Sequence, residues 1–244
     1  MADLHAVRLL TSAHIERLHF SELTGKSRSV VRARVLKRLA DWRVIVPFDR
    51  RVGGARRGSA QMIWALDSAG LALMSSLSKA DKVREGRMRR PALPGERFLQ
   101  HSLTVSELYV QCIEAQRAGL FELSGFLAEP AAWLRDGLGG WLKPDAYVVA
   151  GRGEIEDHWA VEVDKATEHL PTIRRKLDTY IDFMRRGQLG RDDVMPRVLF
   201  TVPNEQRRQD IAALVNGLPD TSGALFRVAL ESDAVKLVAN ELSA

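Results

Sequence analysis

Two kinds of hydrophobic spacing divide the chain. From residue 10 to 77, short apolar stripes at helical spacing alternate with polar breaks and brief β-rich runs. LTSAHIERLHF sets Ile15, Leu18 and His19 on one side of a short helix, with Thr11 or Ser12 placed to cap it. SELTG is a polar break. KSRSVVRARVLKRLADW then predicts a second helix, capped by Ser27, with Val31, Val35, Leu36 and Leu39 as its apolar stripe. Two β-rich runs near 44–50 and 61–66 flank a loop holding Gly53, Gly54 and Gly58, and LDSAGLALMSSL predicts a further helix.

The pattern changes after residue 97. FLQHSLTVSELYVQCIEAQRAGL is apolar on most faces and predicts a long, largely buried helix. A strand is expected to end near Glu129. DAYVVA and HWAVEVD, joined by the turn GRGEIED, have the residue preferences and spacing of an antiparallel hairpin. HLPTIRRKLDTYIDFMRRG follows as a helix with Pro171 in its first turn and Gly187 as a stop. Its buried stripe is Ile173, Leu177, Tyr180, Ile181 and Met184. RVLFTV, 197–202, is a continuous apolar run, as expected of a strand covered on both faces.

Charge sharpens this division. Residues 1–97 carry 20 lysines and arginines against 9 acids, whereas residues 98–244 carry 16 against 22. A chain that concentrates positive charge in one half is expected to meet a polyanion there, because neutralising phosphates releases condensed counterions; a basic surface that only aids solubility is the alternative. Arg28, Arg32, Arg34, Lys37 and Arg38 occupy much of the second helix, and Arg50, Arg51, Arg56 and Arg57 crowd the glycine-containing loop. Short helix, turn, basic helix and basic hairpin is the element order of a winged helix-turn-helix. Arginines at such a tip bind phosphates or enter a minor groove. Double-stranded DNA is the expected partner; no aromatic-rich stacking strand of the usual single-strand type is visible, which ranks RNA lower. The organisation expected is a winged-helix domain over 1–77, a basic linker over 78–97, and a second domain over 98–244.

Other classes are excluded or disfavoured. MADLHAVRLL lacks the long apolar core of a signal peptide, and no run of about 18 apolar residues is present. A soluble, cytoplasmic protein with no membrane partner is expected. Cys112 is the only cysteine, so neither an internal disulfide nor a cysteine-based zinc site can form.

Candidate chemistry lies in the acidic half. Asp145 begins the first strand of the hairpin and Glu162 ends the second, so an antiparallel pairing brings them to the same end of the sheet. Two hard carboxylates can hold Mg²⁺, with Mn²⁺ as a substitute, leaving positions for water and a phosphate oxygen. Asp164 shares the face of Glu162 and is a candidate third ligand, with a cap or ion-pair role as its alternative. Lys176 adjoins Ile173 and Tyr180 on the next helix and can reach back toward the carboxylates, where an ammonium would assist the attacking water or stabilise phosphorane charge. Lys165 falls on the opposite face of the strand. Glu107 and Glu129 are secondary candidates, Glu107 being placed on the surface, and His101 is expected as a hydrogen-bonded core residue. The candidate catalytic set is Asp145, Glu162 and Lys176; solvated strand ends or an inactive remnant are the alternative.

Helix, strands, helix, strand, with Asp and Glu at facing strand ends, resembles the core of the PD-(D/E)xK nuclease-like superfamily. The departure is Asp164, which stands where that pattern has lysine. The ordered set LTSAHIERLHF, RARVLKRLADWRVI, FLQHSLTVSELYV, LKPDAYVV, AVEVDKATE, RRKLDTYIDF and PRVLFTV resembles the replication-relaxation family of bacterial mobile elements, from about residue 8 to about residue 230. The resemblance implies a two-domain α+β and α/β protein: an N-terminal winged helix, then a restriction-endonuclease-like mixed sheet flanked by helices. It also implies a role in plasmid or integrative-element replication, DNA relaxation or transfer. Motif positions carried over are Asp145, Glu162, Asp164, Lys176 and Tyr180, with packing the expected role of Tyr180. Two functions follow as expectations. One is a DNA-binding protein with Mg²⁺-dependent nicking; the other is a non-catalytic DNA-binding regulator whose second domain serves homodimerisation or docks a relaxase or replication initiator.

Overall fold

The computed structural model describes residues 1–52, 61–77 and 95–243. The expected hairpin-tip residues Gly53, Gly54, Arg56, Arg57 and Gly58, the side chains of Arg50 and Arg51, and the linker positions 78–94 lie outside the described set. Two compact units form, Met1–Val110 and Gln111–Ala244.

In the first unit, α1 (Ala2–Val7) buries Leu4 and Val7 and leads to the short strand β1 (Leu10–Thr11). Thr11 is the cap of α2 (Ser12–His19): its hydroxyl accepts from the His14 backbone N–H at 3.2 Å, and the His14 ring accepts from the Thr11 N–H. Ile15, Leu18 and His14 face inward. His19, expected on that side, is instead exposed and sits 2.9 Å from Asp3, because His14 takes the inward place beside the cap. That hydrogen bond from His19 outweighs burial and, with a second from Tyr109, holds the Asp3 carboxyl down at about 2.

The second helix, α3 (Gly25–Asp41), starts earlier than the Ser27 cap predicts. Thr24 holds the extended cap position, Gly25 takes a φ of 62°, and the Ser27 hydroxyl donates to the Thr24 carbonyl at 2.6 Å. Leu36 is the buried residue of α3; Val31, Val35 and Leu39 are not fully buried, so most of its circumference faces outward. Strands β2 (Ile45–Val52) and β3 (Gln61–Leu66) pair antiparallel with an irregularity between Phe48 and Arg51, and β1 adds to β3 to give the order β1-β3-β2. In α4 (Ser68–Leu77) the close approach to Val44 requires Gly70, since a Cβ there would lie 2.1 Å from the Val44 carbonyl oxygen.

The long helix α5 (Glu96–Arg117) contributes Leu99 and Leu103 to a core with Leu9, Val46, Ile63 and Ala65. Ser106 donates to the Leu9 carbonyl at 2.6 Å and Tyr109 to Asp3 at 2.8 Å. The division between the units therefore falls inside α5, at Val110/Gln111, whereas the sequence pattern places it before residue 98.

The second unit is a mixed α/β arrangement. Strands β4 (Glu122–Ala128), β7 (Ala146–Arg152) and β8 (Ile155–Val163) form an antiparallel meander, interrupted by a small hairpin of β5 (Leu134–Arg135) and β6 (Trp141–Leu142). Helix α6 (Leu170–Arg185) crosses over to β9 (Arg197–Val202), which pairs parallel with β8. Helix α7 (Glu205–Asn216) and the turn α8 (Asp220–Gly223) cross to β10 (Phe226–Leu230), parallel to β9, and α9 (Ala234–Glu241) follows. The sheet order is β10-β9-β8-β7-β4. β8 is central, and its residues are buried from His158 to Val163, on both faces. Ile173, Leu177, Tyr180 and Ile181 of α6 are buried as their spacing predicts, joined by Phe183, with Met184 packed at the margin. Pro171 lies in the first turn, and Gly187 follows the helix at a φ of 65°. Among the described residues no helix is long and apolar enough to cross a membrane.

Leu99→Ala tests the assignment of α5. Its side chain is fully buried, and removing it should cost about 2–5 kcal/mol. Amide hydrogen exchange should speed up in α2 and β3 and stay unchanged in β7–β9; equal acceleration in both regions would contradict the division at Val110.

Candidate functional site

Glu162 is the centre of a buried polar cluster in the second unit. Ala146 pairs with Val161, so Asp145 and Glu162 stand opposite each other one step further along the antiparallel ladder. The Asp145 N–H donates to the Val161 carbonyl at 2.9 Å, and its carboxylate accepts from the Val163 N–H at 2.7 Å. Asp145 is thus clamped to the strand that carries Glu162. Glu129 tightens the same edge through its backbone, donating to the Asp145 carbonyl at 3.0 Å.

Glu162 is only 4% exposed, and α6 supplies its partners. Lys176 Nζ lies 3.0 Å from one carboxylate oxygen and Tyr180 donates its hydroxyl to the other at 2.7 Å. Lys176 and Tyr180 are one helical turn apart, so a single face of α6 delivers both. Lys176 also lies 3.3 Å from Glu168. Tyr180 packs edge-on against Phe226 while its hydroxyl serves Glu162, so packing and polar roles coincide.

Burial, and then the charge of Asp145, push the Glu162 carboxyl up to about 7; Lys176 and Tyr180 pull the other way without cancelling them. For Lys176, burial acts downward, but Glu162, Glu168 and Asp145 outweigh it and raise the ammonium above its ordinary range. Lys176 is therefore charged at neutral pH. Burial and the neighbouring Glu162 raise Tyr180 well above its usual value, keeping it a hydrogen-bond donor.

Asp164 goes elsewhere. It is ion-paired with the buried Arg207 of α7, and its other oxygen accepts from the Ala166 N–H at 2.8 Å. Arg207 also donates to the Glu168 carbonyl at 2.7 Å. The strand-to-helix junction is thus fixed by Arg207, a residue that no sequence pattern singles out. Lys165 lies 2.8 Å from Glu231. Among the described residues, no group of three or more His, Cys, Asp or Glu gathers as a metal cage. Asp145 and Glu162 are carboxylates, the residue type by which Mg²⁺ is commonly held, with water and phosphate oxygens completing its shell.

In the first unit, the arginines predicted on α3 divide into two sets. Arg28 and Arg32 turn back to Glu16 of α2, Arg28 at 3.5 Å and Arg32 in direct ion pairing. Arg34, Lys37 and Arg38 are exposed. Lys37 lies 2.8 Å from Asp41, and the Arg38 guanidinium sits 5.3 Å from the centre of the Trp42 ring. Trp42 and Val30 are 61% and 55% exposed, so the outer surface of α3 combines cations with uncovered apolar groups. Glu107 is half-buried and engaged, 2.6 Å from Arg17 and 3.2 Å from His14. His101 is half-buried, and His158 is buried 3.0 Å from the Tyr147 hydroxyl.

Glu162→Gln tests the buried carboxyl. A carboxyl whose folded pKa is raised from 4.5 to about 7 binds its proton more tightly in the folded state. Its contribution is therefore fully present below pH 4.5 and is lost as pH rises through 7. The Gln variant mimics the protonated form throughout. Its melting temperature should match wild type near pH 5 and exceed it near pH 8; a constant difference across that range would contradict the raised carboxyl.

Neither curated proteins nor solved structures yielded a match to the chain. The family description Replication-relaxation matches residues 1–198, which include α2, α3, the acid pair, Lys176 and Tyr180 but not Arg207. With most of its length matched, the chain belongs to the replication-relaxation family.

Proposed function

We propose that this protein binds duplex DNA through its first unit, in the replication, relaxation or transfer of a plasmid or related mobile element, and nicks DNA at the acid–lysine centre of its second. Family membership points to plasmid replication or relaxation. A winged-helix reading of the first unit is supported by α2 and α3 joined by a turn, followed by the β2–β3 hairpin and closed by β1. Arg34, Lys37 and Arg38 on the exposed side of α3 would contact phosphates or base edges. Arg28 and Arg32, paired with Glu16, would serve mainly to fix α3 against α2.

The nicking proposal rests on one observation: Lys176 reaches Glu162 beside Asp145 although the strand itself lacks lysine at the expected place. The succession of α5, the antiparallel meander, α6 and a parallel strand supports a nuclease-like reading of the surrounding fold. Asp145 and Glu162 would hold Mg²⁺ or Mn²⁺, which when bound lowers the pKa of a water and polarises a phosphate oxygen. Lys176, protonated at neutral pH, would stabilise charge on the phosphate oxygens rather than accept a proton. Asp164, bound by Arg207, would position the junction between β8 and α6.

A second reading is favoured by a specific feature. Both oxygens of Glu162 already have protein partners. On this reading the second unit is a non-catalytic platform, for a second copy of the chain or for a relaxase or replication initiator, and duplex binding by α3 is the whole activity.

Two measurements separate the readings. Purified protein with supercoiled plasmid and Mg²⁺ or Mn²⁺ should produce nicked circles, and Asp145→Ala or Lys176→Met should lower the rate at least about tenfold. Absence of metal-dependent nicking, or full activity in Asp145→Ala, would leave the platform reading. The double variant Arg34→Ala, Lys37→Ala should weaken duplex binding at low salt and reduce the salt slope by roughly 1 for each phosphate no longer neutralised. Unchanged affinity and slope would rule out α3 as the DNA-binding surface.

A further inference from the structure

The β5–β6 hairpin carries a second surface suited to nucleic acid. Its inward residues Leu134 and Leu142 are paired in register and buried in the core of the second unit, together with Ala132. Strand alternation therefore sends Arg135 and Trp141 to the outer face; beside them Lys143 is exposed, and Trp133 is half-buried with its indole N–H out of solvent. Arg135 and Trp141 are direct register partners, and the guanidinium lies 3.9 Å from the centre of that indole. Lys143 Nζ lies 4.6 Å from the centre of the Trp133 ring, and the two indoles are 6.5 Å apart at 55°. Two tryptophans and two cations thus alternate on one small patch, with Trp141 43% exposed.

The charge around this patch is the reverse of its surroundings. Residues 98–244 carry an excess of acids, yet the neighbouring acid, Asp136, turns its carboxylate into the hairpin tip, accepting from the Leu138 and Gly140 N–H groups at 2.8 Å each. Arg186 adds an exposed cation, donating to the Asp136 carbonyl at 3.3 Å. The exposed side chains Arg135, Trp141 and Lys143, with Arg186 beside them, bring an aromatic ring and three cations together. Lys143 stands two residues before Asp145 in the chain, so a strand held here would lie next to the acid pair.

We propose that this hairpin binds single-stranded DNA, stacking an unpaired base on Trp141 and neutralising the adjoining phosphates with Arg135 and Lys143. An indole stacks on any base but reaches a base face only where the duplex is open, and cations beside the ring track the backbone. Duplex DNA covers those faces, so the patch discriminates strand state rather than sequence. The inference rests on the nucleic-acid reading above for its choice of DNA.

The test uses the full chain and fluorescence anisotropy with a short oligo(dT), an oligo(rU) and a duplex. Wild type should bind oligo(dT) at low salt. Trp141→Ala should weaken that binding about tenfold, Trp141→Phe should restore most of it, and neither should alter duplex binding. Lys143→Gln, at an exposed position, should weaken oligo(dT) binding about threefold with the melting temperature unchanged. Oligo(dT) affinity unaffected by Trp141→Ala, equal losses on oligo(dT) and duplex, or a preference for oligo(rU) would overturn the proposal. Wild type that binds duplex but not oligo(dT) would sink this inference alone; binding to neither would sink the duplex reading with it.

Discussion

A carboxylate removed from water at the end of a central strand needs cationic or hydrogen-bonding partners, and Glu162 draws its partners from the helix that follows. Lys176 and Tyr180 occupy one face of α6, so the same turn that packs Ile173 and Leu177 into the core also delivers the charge and the hydroxyl. The polar cluster and the core are thus one construction. Moving α6 along its axis by a single turn would leave Glu162 buried and unpaired, which costs far more than an exposed ion pair contributes. Arg207 performs the corresponding task for Asp164 and, through the Glu168 carbonyl, fixes the loop entering α6.

Lys176 reaches Glu162 from α6, whereas the strand carries Asp164 two residues after Glu162. Lys165, next along the chain, pairs with Glu231. The acid pair is held together by backbone clamps on Asp145, while its excess negative charge is met by a side chain from another element. On the proposed reading such a centre has two uses. With its partners in place it is a stable polar core; with a divalent cation and a phosphate it would have the residue types that hydrolysis of a phosphodiester requires.

Much of the framework was legible in the sequence because it depends on local periodicity. The α6 stripe, the β7–β8 hairpin and the buried run of β9 followed from spacing alone, and antiparallel pairing then brought Asp145 opposite Glu162. What escaped was non-local. Nothing in the pattern of α5 says that Leu99 and Leu103 join Leu9 and Val46, since a helix apolar on most faces is compatible with either neighbour. Arg28 and Arg32 read as DNA-facing in the sequence, and the fold adds that both reach Glu16, one helix earlier. The tryptophan hairpin was invisible for a similar reason: neither Trp133 nor Trp141 sits in an aromatic-rich strand, and only the turn between them places both on one face.

The central claim is that Asp145 and Glu162 form a cation-binding pair whose charge Lys176 balances. Crystals grown with Mn²⁺ and measured for anomalous scattering test it most directly. The account predicts a manganese peak within coordination distance of both carboxylates, with Lys176 shifted away from Glu162. Well-ordered carboxylates with no peak, and Glu162 still joined to Lys176 and Tyr180 at high Mn²⁺ concentration, would contradict it.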